Sequence, residues 1–124
     1  MSEIVDYAEA LAATIKAALE TAEIKAVATA NVRQATPPAV LVSPIPRREY
    51  DDAAGGYEAT WSVYCIAPGL GDLTDAKVLD ALADVVVPLV DGVGVTVEPV
   101  SYVLPSGTDA KPAYLIQFTN HVHP

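Results

Sequence analysis

One segment in the middle of the chain constrains the fold more than any other. From Tyr57 to Ile66 semi-polar side chains alternate with an apolar set made of Ala59, Trp61, Val63 and Cys65. Alternation with a period of two places the apolar set on one face of a β-strand. We therefore expect a sheet around this strand that buries one face against other elements and leaves the opposite face half-covered.

Two segments have the helical spacing needed to cover that face. Between Ser2 and about Ala22, apolar residues recur at steps of three and four, and Ser2 can cap the first turn. The second helix is expected to begin at Thr74 as its N-cap and to end near Pro88. Its buried face would consist of Val78, Leu79, Leu82, Ala83 and Val86.

Two shorter β-prone segments lie between the first helix and the central strand. Ile24–Asn31 predicts a weak strand that would suit an edge of the sheet, and Ala39–Val42 predicts a short apolar strand bounded by prolines. The polar stretch Arg47–Gly56 follows and is interpreted as an exposed loop or the tip of a hairpin.

The last third of the chain predicts a hairpin. Val95–Leu104 is rich in β-forming residues but contains Pro99, so this strand is either an edge strand or bulged there. Pro105–Pro112 would form the loop, and Ala113–Val122 would return as the partner strand. The whole order predicts an α+β fold: a mostly antiparallel sheet of four to five strands with two helices packed on one face.

Composition sets limits on function. The 124 residues suit one domain spanning 1–124, and 16 acids against 7 bases give a net charge of −9. This balance argues against a protein that grips a phosphate backbone. The single cysteine excludes an internal disulfide, and neither a basic leader nor an apolar run of about 20 residues is present. We expect a soluble, acidic protein of a reducing compartment.

Candidate ligand sites are weak. His121 and His123 would point to the same side of a strand, but a fraying chain end explains them better than a metal site. Asp51 and Asp52 lack the spacing of a calcium loop and are interpreted as a solvated acidic loop. Gly69–Asp72 lies where a phosphate loop would lie, yet it ends in an acid and is interpreted as a tight turn.

Candidate nucleophiles are equally weak. Cys65 shares the apolar face of the central strand, which predicts a small buried hydrophobe rather than a thiolate. No serine has a nucleophile-elbow context. We therefore expect no catalytic residue, cofactor or metal. Four tyrosines are candidates for contacts with other proteins, namely Tyr50, Tyr57, Tyr64 and Tyr102. Aromatic residues with a polar end favour such contacts. Ordinary partial burial on a sheet explains these four equally well.

Three stretches carry a resemblance to a known family. Pro38–Pro44 (P-A-V-L-V-S-P) precedes Arg48–Asp51 (R-E-Y-D), Tyr57–Ile66 precedes Ala76–Leu82, and the chain closes on Ala113–Thr119. Together they resemble the tail-terminator, or tail-completion, proteins of long-tailed, non-contractile phages. The segment Pro88 to Gly94 is shorter here than the helical segment often found in that family.

The resemblance implies a structural virion protein rather than an enzyme. It would form a homo-oligomeric ring, usually a hexamer, at the head-proximal end of the tail after assembly in the host cytoplasm. Its partners would be the tail-tube protein and the head-tail connector or stopper, with no membrane involved. The genome DNA would pass through without specific binding, which the acidic balance suits.

Two exposed loops are the expected contacts with neighbouring subunits or with the tube. Their exposure and aromatic content single out eight residues: Arg47, Arg48, Tyr50, Asp51, Tyr57, Ser106, Asp109 and Lys111. Two alternatives remain open. One is another neck component, such as a stopper or adaptor, and the other is a small cytosolic α+β enzyme or ligand-binding domain with His121, His123, Asp51 and Cys65 around one cleft.

Overall fold

The fold combines two α-helices with one sheet. A computed structural model describes residues 3–50, 56–90, 92–105, 107 and 109–122. The helices in this part are Glu3–Thr21 (α1) and Asp72–Val86 (α2). The six strands are Val27–Thr29 (β1), Ala39–Val42 (β2), Arg47–Tyr50 (β3), Tyr57–Ile66 (β4), Val93–Val103 (β5) and Ala110–Val122 (β6). Neither helix is long and apolar enough to cross a lipid bilayer.

The sheet has the order β1-β2-β4-β6-β5, with β3 added beside β4. Only β1 and β2 run parallel, and every other pair is antiparallel. One side of β4 is shared, because β2 pairs with residues 63–66 and β3 pairs with residues 57–60. The expected α+β class is confirmed, with six strands where four to five were expected.

Both helices pack on the same face of the sheet, as expected. The alternation in β4 has the predicted result: Ala59, Trp61, Val63 and Cys65 are buried beneath the helices. Phe118 of β6 lies opposite Trp61 and completes the centre of this core. Fully buried helical residues cover it from above, namely Ala8, Ile15, Leu19, Leu82 and Val86.

Neither of the two α-helices of the described residues lies on the opposite face of the sheet, which we call the helix-free face. Its middle is polar, with a hydroxyl pair between Thr60 and Thr119 at 3.1 Å and a Gln117 amide donating to Ser62 at 3.5 Å. A small apolar cluster covers one end of this face and consists of Ala35, Ala39, Leu41, Ile66 and Ala113. The sheet is therefore half-covered, as its alternating strands require.

Two local expectations need correction, and a third is confirmed in one of its two alternatives. Arg47–Tyr50, expected to lie in an exposed loop or at the tip of a hairpin, is itself a strand of a hairpin, because it pairs with β4 residue by residue. Lys111 and Pro112 belong to β6, which begins at Ala110 and extends the predicted strand by three residues. For β5, the alternative of an edge strand is confirmed, and the irregularity of its pairing lies between Val93 and Thr96 rather than at Pro99.

The start of α2 also differs from the expectation. The N-cap is Gly71 rather than Thr74. The carboxylate of Asp75 reaches back and accepts hydrogen bonds from the amides of Gly69 and Leu70, both at 3.1 Å, and from Gly71 at 3.4 Å. Asp75 is 3% exposed, and its carboxylate accepts from amides at the helix start that would otherwise lack partners. We therefore call it the internal cap of this turn. The expected end near Pro88 is confirmed, since α2 stops at Val86 and passes into a 3₁₀ turn.

Candidate interaction surface

Four predicted contact residues lie together on the β3–β4 hairpin. Arg48 stands over the ring of Tyr57, with its guanidinium carbon 5.3 Å from the ring centre, and donates to the Tyr50 hydroxyl at 3.4 Å. The Tyr50 and Tyr57 rings contact each other at 5.1 Å. We call Arg48, Tyr50 and Tyr57 the arginine–tyrosine cluster, whereas the side chain of Arg47 lies on the opposite face of β3. Pairing between β3 and β4 assembles it, since Tyr50 lies directly opposite Tyr57.

Both arginines of β3 are exposed at the surface. The hydrogen bond to Tyr50 is the main cause that raises the pKa of Arg48 above its usual range, so Arg48 keeps its positive charge. Arg47 forms an ion pair with Glu49 at 2.8 Å, and both side chains are more than half exposed. Such exposed pairs contribute little to stability. Glu49 also lies directly opposite Glu58, an arrangement of like charges that a neighbouring arginine relieves.

The remaining predicted contact residues are not part of this cluster. Lys111 lies near the other end of β6, where its amine is 3.3 Å from the position that a side chain on Gly69 would occupy. Eleven residues separate Lys111 from Val122, the partner of Tyr57, which corresponds to roughly 35 Å of strand. Asp109 is exposed beside Lys111. Asp51 and Ser106 lie outside the described residues.

The residues of the alternative enzyme hypothesis do not form one cleft. Cys65 is fully buried, and burial raises the pKa of its thiol to about 12, which fits the expected small hydrophobe. His121 lies opposite Glu58, seven residues along β4 from Cys65, or roughly 23 Å away. Asp51, Asp52 and His123 are outside the described residues, and within the described ranges no three acidic, histidine or cysteine side chains could hold a metal together.

The glycine-containing turn before α2 is not arranged to bind an anion. The amides of Gly69, Leu70 and Gly71 are the groups that a phosphate would need. All three donate to the Asp75 carboxylate. The protein therefore supplies its own anion at this helix start, and the interpretation of Gly69–Asp72 as a tight turn accounts for these contacts.

The other pair of singled-out tyrosines stabilises the helix-free face. The rings of Tyr64 and Tyr102 contact each other at 4.8 Å. Burial, followed by the proximity of Tyr64, raises the pKa of Tyr102. They border a groove of about 480 Å³ between β4, β5 and the segment after β1, beside Ile45, whose side chain is 83% exposed.

The sequence analysis offered β5 as an edge strand but did not predict its outer edge as a contact surface. Most of this 11-residue strand is exposed, including the apolar side chains of Val93, Val97 and Val103. It is the last strand on its side of the sheet, and no other strand of the described ranges pairs with its outer edge. Unpaired edges are templates for pairing with another chain. The run of β-forming residues around Pro99 was the available signal.

A groove lies between β5 and α2 on the helix-bearing side. Its volume is about 570 Å³, its floor includes Val97 and Pro99 of β5, and its rim carries Asp80 and Asp84 of α2. The Tyr114 hydroxyl donates to Asp80 at 3.2 Å, which raises the pKa of Tyr114. We call this feature the α2–β5 groove. The spacing of Asp80 and Asp84, one turn apart on the exposed side of α2, was the sequence signal for its acidic rim.

Comparison with known proteins adds no relative to this description. No protein-family model matches the chain, and neither a curated protein nor a solved structure matches it.

Proposed function

We propose that this protein is a structural component of a phage virion that forms a ring at the head-proximal end of the tail. The ring terminates polymerisation of the tail tube and joins the tail to the head connector. The resemblance of the stretches around β2, β4, α2 and β6 to tail-terminator proteins motivates the proposal. It makes self-association and tube binding the two properties that matter.

The long exposed edge of β5 is the observation that best supports self-association. A monomer that works alone gains nothing from an 11-residue edge strand with several exposed valines, and such an edge promotes association. In a ring each subunit presents this edge to its neighbour. Association therefore covers the edge with no change of fold.

The acidic charge of the two helices supports the proposal of a ring through which DNA passes. Each helix carries four acids against one lysine, so half of the 16 acids lie in the helical layer. An acidic wall repels the phosphates of a passing genome and keeps it from binding. A ring with this layer towards its channel would conduct DNA without holding it.

Two measurements test the proposal. Native mass spectrometry over a range of protein concentrations should show a closed oligomer, and electron microscopy should show it at one end of purified tail tubes from the same phage. Overlong tails after loss of the gene would assign it as the terminator, whereas normal tails with leaking heads would assign it as a stopper. A protein that remains monomeric and never binds tube ends would refute the proposal.

A further inference from the structure

Three strands have only one partner strand in the described part of the chain, namely the three-residue β1, β3 and β5, and the edges of β3 and β5 differ in character. The outer edge of β5 ends one side of the sheet, and β3 has β4 as its only partner strand in the described part of the chain. Proline has no amide hydrogen to donate, so Pro99 divides the β5 edge into Val93–Glu98 and Val100–Val103. Each stretch is long enough to pair with a short strand, such as the four-residue β3.

The two edges also match in the direction of their side chains. Arg48 lies opposite the buried Ala59, so it belongs to the helix-bearing side, and Arg47 belongs to the helix-free side. In β5, Val97 and Pro99 line the α2–β5 groove on the helix-bearing side, which places Glu98 between them on the helix-free side.

Charge complementarity follows when the sheet of one molecule continues into the next. A strand added beside β5 lies about 4.8 Å beyond it, within reach of long side chains across the groove. Arg48 of that strand meets the rim carboxylates Asp80 and Asp84 on the helix-bearing side, and Arg47 meets Glu98 on the other. Both arginines therefore find acids on their own sides of the sheet.

We propose that the β5 edge and the α2–β5 groove bind strand β3 of a second copy of this chain, with Arg48 entering the groove. This inference rests on the proposed function for its assumption of self-association and names the surfaces that carry it. Because the two surfaces differ, the contact is head-to-tail, the type of contact that closes into rings.

Charge also argues against pairing of β5 with β5. A two-fold arrangement would bring Asp80, Asp84 and Glu98 of both copies to one interface. Like charges brought together at one interface disfavour association. The chain has 7 basic residues, and Arg47–Arg48 is the only place where two are adjacent, so β3 is the best complement that a second copy offers.

The test uses two full-length charge-reversal variants. The first is R47E/R48E, which makes β3 acidic, and the second is D80R/D84R/E98R, which makes the groove and edge basic. Each alone should associate at least about tenfold more weakly than the wild type, because like charges then meet at every contact. Mixed in equal amounts they should recover the wild-type oligomer, since each variant's β3 then faces a complementary edge.

The matched control is K25E/R33E, which changes the net charge as much as R47E/R48E at two exposed sites elsewhere. It should assemble like the wild type. Sedimentation velocity measures association, and circular dichroism checks the fold of each variant. A wild type that stays monomeric, single variants that assemble normally, or a mixture that does not recover would each overturn the inference.

The outcomes separate this inference from the proposed function. A wild-type ring that binds tube ends but ignores both charge reversals would refute the interface and leave the function standing. Charge-dependent assembly into an oligomer that never binds tube ends would refute the function and leave the interface standing.

Discussion

Replacing Asp75 with alanine tests whether the internal cap of α2 stabilises the fold. The carboxylate accepts two amide hydrogen bonds at 3.1 Å and a longer one at 3.4 Å. Hydrogen bonds to a charged acceptor contribute about 1.5–3 kcal/mol each. Water reaches the exposed turn residues Gly69, Leu70 and Gly71 and offsets part of the loss. We therefore expect Asp75→Ala to lower the free energy of unfolding by about 2–3 kcal/mol.

Asp75→Asn should be milder. Its amide oxygen can still accept from Gly69 and Leu70, so the expected loss is about 1 kcal/mol, mainly from the missing charge at the helix start. Asp72→Ala is the matched control, because Asp72 is an exposed acid in the same first turn. Without amide contacts to lose, it should cost at most about 0.5–1 kcal/mol through the helix dipole.

Urea unfolding, followed by the fluorescence of the single tryptophan, measures these differences. For a domain of this size, the loss expected for Asp75→Ala shifts the midpoint by about 1–2 M urea. The order of effects should be Asp75→Ala, then Asp75→Asn, then Asp72→Ala. An alanine variant within about 0.5 kcal/mol of the wild type, or an Asp72 variant that is the more damaging, would refute the assignment of this cap.

Three further changes test other parts of the structure. The pKa of the Cys65 thiol is raised from 9.0 to about 12, so the thiol should resist alkylation at pH 9 until the protein unfolds. Its stabilising contribution should be lost as the pH rises from about 9 towards 12. Rapid labelling of the native protein at pH 9 would contradict its burial. Asn120→Ala removes the acceptor that lies 3.0 Å from the ring nitrogen of the buried Trp61, so it should lower the free energy of unfolding in urea by about 1–3 kcal/mol. Entry of water beside Trp61 would shift its fluorescence to the red. An unchanged stability would contradict the hydrogen bond. A methyl group on Gly92 would lie 2.6 Å from the Thr119 carbonyl oxygen, so Gly92→Ala should lower the melting temperature, whereas the control Gly107→Ala, with its nearest contact at 3.8 Å, should not.

The sequence predicted the parts of the fold that burial determines. The bounds of β4 were expected from Tyr57 to Ile66 and are found there, because every second side chain contributes to the core. The bounds of α1 differ from the expected range by about a residue, since its apolar stripe ends where burial ends. Pattern reasoning works where the solvent boundary and the sequence pattern coincide.

The sequence did not predict the parts that pairing determines. All four residues of β3 are exposed, so no apolar alternation reveals the strand, and its existence depends on β4 beside it. The start of α2 was misplaced because Thr74 fits the preferred N-cap types, whereas the cap is a backbone glycine supported by an acid inside the helix. Both errors arise where a neighbouring strand, or a residue one turn away, decides the conformation.

The candidate surface was predicted only in part. Exposure and aromatic content singled out Arg47, Arg48, Tyr50 and Tyr57 on one hairpin, and the structure brings the last three of them into contact. They also singled out Lys111, which lies at the other end of the sheet. The α2–β5 groove was not predicted, because its walls come from two elements whose proximity follows from the tertiary packing.

All the side chains of strand β3 lie at the surface, so their identity can change without altering the core. The strand contributes no buried side chain and attaches only through its pairing with β4. Substitutions that keep a β-compatible residue there therefore change the outer surface at little cost in stability. If β3 makes the proposed contact, mutation at its four positions can change the affinity for a partner and leave the core unchanged.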